Sequence, residues 1–552
     1  MKQIMSLVCV LASASAFSAA EFKLDRSVMS PAYEKVWNAD VQKRIDADIE
    51  KYRKADAVVS IAAPAGTEVK IEQMSHQFFF GAHIFNFNQL GKPEWNELYK
   101  QLYNGVNIFE KDALFNSATV AFYWRTLEQY PYANRFEEKY EDTEEYWCKA
   151  YTESPTEMMK KHHWRRPAPD PIVSFLKTTG CRIHGHPIVW GNPEWHVPSW
   201  IWDDFTPESE KSALEQATGV KVPRWNWRKP MGCKDFDREG GLRPTTWYTA
   251  WRKIFAQLDE KTVASLVPSY VKALNDFTTR RVELLAARYG SRVDSWDVVN
   301  ESASDWGKGA KRQWPAGETP AVNKMPITAS EYGPMPANYA FDALTAARRL
   351  MRKDALLNIN EWNMDEFPGQ IADLAAHGAN FDVVGVQMHL FNPIESRRIQ
   401  EGEIDLKVHP QKIQDFFAKI TKVGGGRPIH LSEITITAPG RTATDEMVQA
   451  VIMHDAYRAW FAVEKMNGIT WWNVVDDCGA PGEPSMSGLF TRDMKPKAVY
   501  FAMKDLIQRE WRTTLNAKVQ NGQVAFRGFK GYYRLTWKGA DGEEKSCLVE
   551  VR

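Results

Sequence analysis

The 552-residue sequence has no excess of either charge and few cysteines, and each shortage argues against a class of protein. Seventy basic residues balance seventy acidic ones, so the composition does not indicate binding to nucleic acid. The six cysteines lack the paired spacing of a zinc site, and the adjacent His162 and His163 do not form a metalloprotease motif. We therefore expect no metal and no cofactor. At most two disulfides can form, with their pairing open.

Long apolar runs are also missing beyond the first residues of the chain. Residues 1–20 combine a lysine, an apolar stretch and a small-residue end, which predicts a secretory signal peptide. No later stretch is long and apolar enough to predict a membrane span. We expect a secreted or periplasmic protein; lipoprotein anchoring through Cys9 is a minor alternative, because Val8 before it is not small. The oligomeric state stays open.

Between residues 76 and 508, short apolar segments alternate with helical patterns such as 339–351 and 447–461. Eight segments of this kind predict an α/β fold, a (β/α)8 TIM barrel. Long connections at 131–171, 200–246 and 302–336 are expected to be insertions that wall a cleft over the carboxyl face. The predicted strands are Phe78–Gly81, Ser117–Phe122, Arg182–Val189, Val293–Val299, Ala355–Asn360, Val383–Gln387, Pro428–Ile434 and Gly468–Trp472.

The two ends of the chain are expected to form a small β-rich accessory unit. Residues 21–75 contain a helical pattern at 33–54, followed by alternating segments at 58–61 and 68–72 that predict a hairpin. Residues 509–552 return to short alternating segments with a turn signal at 519–524. We expect these end segments to pair with each other, as a brace on the barrel rather than as a glycan-binding module.

Two predicted barrel strands each carry one glutamate near the carboxyl end. Glu301 ends the run Trp296-Asp297-Val298-Val299-Asn300-Glu301, and Glu433 lies in Leu431-Ser432-Glu433-Ile434. Chemistry in such barrels is placed at the carboxyl ends of strands. Two facing buried carboxyls push their pKa values apart, so one can act as an acid while the other is ionised. Each glutamate alone could be a structural ion-pair partner; together they predict a catalytic pair.

These strand motifs resemble glycoside hydrolase family 10, whose founding activity is that of a retaining endo-β-1,4-xylanase. The Glu301 run is similar to the acid/base strand of the family, and the Glu433 run stands where the family has its nucleophile. Four further motifs resemble strands three, five, six and eight of the family: His184–Trp190, Leu357–Asn363, Gly385–Leu390 and Gly468–Trp472. The resemblance covers roughly residues 78–506.

The resemblance implies a double-displacement mechanism on a β-linked glycan. Glu433 would attack the anomeric carbon, and Glu301 would protonate the leaving oxygen and later deprotonate water. The remaining implied substrate-binding residues supply hydrogen bonds or a ring platform: Asn300 to the 2-hydroxyl, His389 to the nucleophile, Gln387 on the same face, His186 to a sugar hydroxyl, and Trp190 and Trp472 against the ring. The implied partner is a polysaccharide or oligosaccharide.

The chain departs from the family after strand two and after strand eight. The Glu-Asn pair that grips the next sugar is replaced by Ala121 and Phe122, and Arg125 stands at the position of a lysine, which we include among the expected substrate-binding residues. A second tryptophan after the strand-eight motif is also absent. Loss of such a hydrogen-bonding set can change substrate preference by orders of magnitude, so linear xylan is only the default implied by the resemblance, and a decorated xylan or a related β-glycan is expected as the substrate.

Two alternatives stay open, and the many tryptophans bear on both. An exo-acting or non-xylan β-glycosidase is consistent with the altered strand-two motif, and a non-catalytic carbohydrate-binding protein would need only the fold. Of the 22 tryptophans, those in or beside the long connections are expected to include two or three that contact substrate. They are Trp195, Trp200, Trp202, Trp225, Trp227, Trp306 and Trp314.

Overall fold

The computed structural model describes residues 22–128, 131–137, 166–193, 195–222, 224, 244–307, 326–403, 407–480 and 483–552. The expected signal peptide, Cys148, Cys233 and the pair His162 and His163 lie outside these residues. Cys181, Cys478 and Cys547 are free thiols. Among the described residues, no helix combines the length and apolarity needed to cross a bilayer.

Eight parallel strands close into a barrel, as the sequence predicts. The ring runs β3, β4, β5, β7, β10, β11, β12, β13 and back to β3, and the β7–β10 pairing completes it. Every predicted segment overlaps its strand, and the apolar residues of these strands fill one continuous core. The strands of the chain are β1 Lys54–Ser60, β2 Glu68–His76, β3 Phe79–His83, β4 Ser117–Ala121, β5 Arg182–His186, β6 Val189–Trp190, β7 Ser295–Asn300, β8 Ile327–Ser330, β9 Gly333–Pro336, β10 Leu356–Glu361, β11 Val383–Leu390, β12 Ile429–Ile436, β13 Met466–Trp471, β14 Thr514–Lys518, β15 Gln523–Phe529, β16 Gly531–Lys538 and β17 Glu544–Val551.

Helices follow the barrel strands and cover the outside of the barrel. Several of their N-termini carry a side-chain cap: Thr442, for example, forms a capping box with Asp445. Those of five residues or more are Pro31–Val36, Ala39–Arg53, Pro93–Gln101, Pro169–Thr179, Trp200–Phe205, Glu208–Thr218, Pro244–Phe255, Glu260–Leu266, Pro268–Tyr289, Ala303–Gly307, Tyr339–Leu350, Phe367–Ala376, Pro393–Gln400, Pro410–Val423, Ala443–Phe461 and Ala498–Asp505, followed by the π-helix Leu506–Glu510.

The described parts of the long connections contain helices and strands of their own. The connection after β6 contains the helices Trp200–Phe205 and Glu208–Thr218, and the one after β7 contains the antiparallel pair β8 and β9. The first expected insertion, 131–171, is described only at its two ends. The structured parts bring additional side chains to the carboxyl face of the barrel.

Two barrel strands carry a register irregularity close to a predicted catalytic glutamate. Against β10, the register of β7 skips Val298, and against β11, the register of β12 skips Ser432. A bulge of one residue bends a strand and re-aims the side chains that follow it. Glu301 and Glu433 each follow such a bulge by no more than three residues.

The accessory unit is built from both ends of the chain. β1 pairs with β15, while a second sheet has the order β14, β2, β16, β17, and an apolar core lies between the two sheets. The predicted hairpin between segments 58–61 and 68–72 is wrong, because β1 and β2 belong to different sheets. Their backbone groups form hydrogen bonds with C-terminal strands instead: β1 pairs with β15, and β2 pairs with β14 and β16.

The N-terminal helical segment joins this unit to the barrel. Its helices end at Arg53, immediately before β1, and the segment packs against the barrel helix Ala443–Phe461, which lies between β12 and β13. The buried carboxylate of Asp455 accepts two hydrogen bonds of 2.9 Å from Arg26 and one of 3.0 Å from the Tyr33 hydroxyl. This network fastens residues 26–53 to the barrel wall.

Candidate active site

A cavity of about 410 Å³ opens at the carboxyl ends of the barrel strands. This volume lies within the range of small-ligand sites. Both predicted catalytic glutamates contribute to its wall, together with polar groups and several aromatic rings. The lining residues are Tyr123, Arg166, His186, Trp190, Trp195, Asn300, Glu301, Trp362, Gln387, His389, Phe391, Lys407, Glu433, Trp472, Ala480 and Glu483.

Glu301 lies directly after β7, in a backbone conformation that residues other than glycine rarely adopt. Its φ is 51°, and its amide donates to the Asn360 carbonyl at 2.8 Å. The left-handed conformation of a residue other than glycine costs about 1–3 kcal/mol and persists only where the surrounding structure holds it. Residues of this kind concentrate at functional sites. The Gln387 amide donates to the carboxylate at 3.1 Å, and the Tyr332 hydroxyl lies 3.5 Å away.

Glu433 lies inside β12 and is held by more groups. The Asn360 Nδ2 donates to Oε1 at 2.7 Å, the His389 Nε2 lies 3.3 Å from Oε2, and the His186 Nε2 lies 3.7 Å from Oε1. The carboxylate is therefore bracketed on both oxygens. A nucleophile fixed in this way needs little reorganisation before it attacks.

Asn360, on β10, links the two catalytic strands. Besides Glu433, its Nδ2 donates to the Asn300 Oδ1 at 2.8 Å, and its Oδ1 accepts from the Ser432 hydroxyl. Because Asn300 accepts at Oδ1, its Nδ2 is the donor end of the amide. That orientation suits the donation to a sugar hydroxyl that the resemblance implies for Asn300.

Both carboxyls have a pKa raised toward neutrality, and their neighbouring groups differ. Burial raises the pKa of Glu301 to about 7, and the nearby charge of Glu433 is the second cause. Burial also raises the pKa of Glu433 to about 7, while His186 and the hydrogen bond from Asn360 oppose the rise. His186 and Asn360 thus favour the ionised form of Glu433 against the effect of burial, and the charge of ionised Glu433 in turn favours the protonated form of Glu301.

His389 is the neutral imidazole of the site. Burial lowers its pKa to about 3. Its Nδ1 lies 2.9 Å from the Thr435 hydroxyl, which can donate to it, and the single N–H of the ring is then on Nε2, facing Glu433. The predicted hydrogen bond from His389 to the nucleophile follows from this tautomer.

His186 lies between two carboxylates. Burial alone would lower its pKa, but Glu433 and Asp297 outweigh that effect and raise it. Asp297 Oδ2 is 2.9 Å from both the His184 Nε2 and the His186 Nδ1, and the two histidines lower the pKa of Asp297 despite its burial. Ligand atoms of His186, Asp297 and Glu433 lie within 4.8 Å of one another, a spacing that also suits a metal ion. The hydrogen bond between His186 and Asp297 and the 3.7 Å approach of His186 to Glu433 already account for the proximity of these three residues.

A third buried carboxyl, Glu361, supports the loop after Glu301. It accepts from the backbone amides of Ala303 at 2.7 Å and of Trp362 and Asn363 at 2.9 Å each. Burial raises its pKa to about 8. Glu361 anchors the backbone on both sides of the cavity floor without lining the cavity itself.

The remaining predicted binding residues divide into two groups. Trp472 and Trp190 line the cavity, and the Trp472 indole donates to Glu483 at 3.0 Å. Arg125 lies away from the described lining: it is buried, and its guanidinium donates to the Pro193 carbonyl at 3.0 Å. The short helix that begins at Trp124 turns Arg125 toward the loop after β6, so the expected substrate contact is not observed.

Several lining residues were not predicted as site residues. Tyr123 and Glu483 fall within sequence runs where the chain departs from the family, and those departures were the only available signal. Trp362 lies in the motif Leu357–Asn363, which resembles strand five of the family, but the resemblance gave no role to this side chain. Arg166 and Phe391 carry no local motif. Only the folded loops bring these residues to the cavity.

Of the seven tryptophans named for the long connections, Trp195 lines the cavity. Trp200 and Trp202 are buried and pack against other aromatic rings, so they pin the loop to the barrel. Trp225, Trp227 and Trp314 lie outside the described residues, as does the side chain of Trp306.

Comparison with known proteins agrees with this geometry. Residues 247–506 match the family model of glycosyl hydrolase family 10, a range that includes Glu301 and Glu433 but begins after His186 and Trp190. Endo-1,4-beta-xylanase C of Paenibacillus barcinonensis is 24% identical over 416 residues, which are 69% of this chain and 30% of that protein. Endo-1,4-beta-xylanase B of Thermotoga neapolitana is 24% identical over 243 residues, which are 42% of this chain and 60% of that protein. This chain thus spans less than two thirds of either relative.

Solved structures are similar at low identity. A GH10 structure from Paenibacillus barcinonensis shares 17% identity with a TM-score of 0.43, covering 78% of this chain and 95% of that one. The native xylanase 10B from Thermotoga maritima shares 16% identity with a TM-score of 0.44, covering 79% and 96%. The strand motifs and the family match agree with each other: residues 247–506 are similar to glycosyl hydrolase family 10.

Proposed function

We propose that this protein is a retaining glycoside hydrolase that cleaves β-1,4-linked xylan or a decorated xylan-type polysaccharide. The observation that carries the proposal is the pair Glu301 and Glu433, which share one cavity but have different hydrogen-bond partners. The xylanase relatives support the choice of substrate.

The proposed chemistry uses the surroundings of each carboxyl. Glu433, anchored by Asn360 and His389, attacks the anomeric carbon while Glu301 protonates the departing oxygen. As the glycosyl-enzyme forms, Glu433 loses its charge, and the pKa of Glu301 falls because its second upward cause is gone. Glu301 then accepts a proton from water, and hydrolysis returns both groups to their starting states.

The test is hydrolysis of a panel of β-linked polysaccharides and aryl β-glycosides, with product anomers followed by NMR. Release of the β-anomer first, on xylan-type substrates, supports the proposal. Release of the α-anomer first would contradict the retaining mechanism, and glycan binding without turnover would favour the binding-protein alternative. A parallel assay in EDTA distinguishes hydrolysis by the carboxyl pair from hydrolysis by a metal held at His186, Asp297 and Glu433.

A second candidate, exo action on the same substrates, is favoured by an asymmetry of the cavity. In the ring of strands, β3 and β4 lie opposite β10 and β11. On the β4 side Tyr123 is buried, whereas on the opposite side Trp362 and Phe391 are 48% and 39% exposed. A glycan that entered from the exposed side would end against the buried one. Product sizes over time separate single-sugar release from internal cleavage.

The cellular location of the protein is also part of the proposal. The signal-like residues 1–20 favour export, to the periplasm or the medium. Fractionation followed by N-terminal sequencing of the recovered protein tests this; a cytoplasmic protein that retains residue 1 would contradict it.

A further inference from the structure

A buried cation lies on the closed side of the cavity, where the resemblance leads one to expect neutral sugar-binding groups. Arg166 is 3% exposed and lines the cavity, and its guanidinium lies 3.6 Å from the centre of the Phe85 ring. Phe85 in turn contacts the Trp472 ring at 4.9 Å between centroids. Arg166 therefore stands one aromatic ring away from the proposed sugar platform.

The position of Arg166 coincides with the altered strand-two motif. Phe85, Ala121, Tyr123, Trp190 and Trp472 form one apolar cluster. Ala121 and Tyr123 come from the run in which the family's polar grip is missing. An apolar wall with a guanidinium beside it can stack on a sugar ring but offers few partners for neutral hydroxyls, whereas its charge and fork geometry suit an oxyanion.

The cavity lining also contains three carboxyls, Glu301, Glu433 and Glu483. Burial raises the pKa of Tyr123; among the charged groups, Arg166 lowers it, and Glu433, Glu483 and Glu301 raise it. Of these, Glu483 is hydrogen-bonded to Trp472, Asn473 and the Ala480 amide. The second lysine or arginine of the lining, Lys407, donates to the His389 carbonyl on the other side of the cavity. Within the described lining, Arg166 is thus the arginine or lysine on the Tyr123 side of the cavity.

From this placement we propose that Arg166 recognises an oxyanion on the substrate, the carboxylate of a uronic acid carried by the sugar at the buried end of the cavity. The inference rests on the proposed glycosidase function and deepens it: the preferred substrate is an acidic, decorated xylan-type glycan. A sulfate ester offers the same charge with a tetrahedral arrangement of oxygens, so the test distinguishes these two sources.

The experiment compares three xylo-oligosaccharides of equal length, which are neutral, uronic acid-substituted and sulfated. For each, kcat/KM is measured with the wild type, with Arg166→Met and Arg166→Lys, and with Arg349→Met as a control that removes an exposed arginine on an outer helix. We expect the wild type to prefer the uronate, and Arg166→Met to reduce that preference about tenfold to a hundredfold, the range of a charge-assisted hydrogen bond. Arg166→Lys should restore part of it, and Arg349→Met should leave it unchanged.

Other outcomes overturn the inference or redirect it. Equal losses on neutral and acidic substrates would give Arg166 a purely structural role, and no acidic preference in the wild type would refute the proposal. If the wild type prefers the sulfated substrate, the ligand of Arg166 is a sulfate ester and not a uronate. Calorimetric binding of the same oligosaccharides to Glu433→Gln, with and without Arg166→Met, needs no turnover, so the anion preference is measured even if the hydrolase proposal fails.

Discussion

Glu433 and Glu301 share one cavity but are held in different ways. Asn360, His389 and His186 surround both oxygens of Glu433, within a strand. Glu301 stands beyond the end of its strand, with Gln387 at 3.1 Å and the Tyr332 hydroxyl at 3.5 Å. A nucleophile must be fixed in one ionisation state, whereas an acid/base must exchange a proton twice in each cycle. The difference in support follows that difference in task.

The largest expected effect comes from removing the nucleophile. Glu433→Ala should lower kcat by on the order of 10⁴–10⁶-fold on every substrate, because no other group can form the covalent intermediate. Initial rates on xylan and on an aryl β-xyloside with an activated leaving group measure it. The control is Glu283→Ala, on the exposed face of an outer helix, which should retain wild-type rates. If Glu433→Ala keeps a kcat within tenfold of the wild type, Glu433 is not the nucleophile and the two-carboxyl mechanism is refuted.

Removal of the acid/base should have a smaller effect that depends on the leaving group. Glu301→Ala should lose about 10²–10⁴-fold on xylan, where the departing oxygen needs a proton. The first chemical step on an activated aryl xyloside should lose much less, as a pre-steady-state burst would show. An equal loss of this step on both substrates would mean that Glu301 does not act as the acid.

The pH profile tests the same assignment. The productive state carries one proton on the pair, and burial raises both pKa values to about 7. Activity should therefore rise as Glu433 loses its proton and fall as Glu301 loses its own, giving a narrow bell near neutral pH. In Glu301→Ala, kcat/KM for the activated substrate should lose its alkaline limb. An alkaline limb that persists there would assign it to another group.

Loss of the link between the two strands should cost less than loss of either glutamate. Asn360→Ala removes the 2.7 Å hydrogen bond to Glu433 and releases Asn300, so kcat/KM should fall about tenfold to a hundredfold. Gln387→Ala, which removes the bond to Glu301, is the matched comparison. It should instead shift the alkaline limb upward, because that bond lowers the pKa of Glu301. Identical pH profiles in the two variants would contradict the division of roles.

The smallest effect concerns stability. The folded pKa of Glu301 is raised from 4.5 to about 7, so the contribution of this carboxyl to stability is full below pH 4.5 and is lost as the pH rises to 7. Glu301→Gln removes that loss. Its unfolding free energy relative to the wild type should increase between pH 4.5 and 7, by on the order of 1–3 kcal/mol. Calorimetry at pH 5 and pH 8 measures it, and Glu283→Gln should show no such trend.

The sequence was most informative where a pattern is local. The alternation of apolar segments and helices predicted the barrel, and the motif residues Glu301, Glu433, Asn300, Gln387 and His389 do meet in one cavity. Local patterns failed where the partner was distant. The segments that became β1 and β2 alternate like a hairpin, yet each pairs with strands more than 400 residues later.

The same limit explains the missed part of the site. Arg166 has no neighbours in the sequence that mark it as a cavity residue, and Phe391 lies one residue beyond the strand-six motif Gly385–Leu390, which gave it no role. Arg125 was placed by its position in a motif, but the helix that starts one residue before it turns the side chain away. A motif specifies side-chain direction only as far as the backbone keeps the conformation of the family.

The accessory unit has a consequence for the order in which the chain can fold. β2 lies between β14 and β16, so this early strand has no hydrogen-bonding neighbour until residues 514–538 have been synthesised. Contacts of such long sequence separation form late and slowly. An unfinished chain therefore carries an open strand edge, a site for chaperones or aggregation, and only the complete chain can close it.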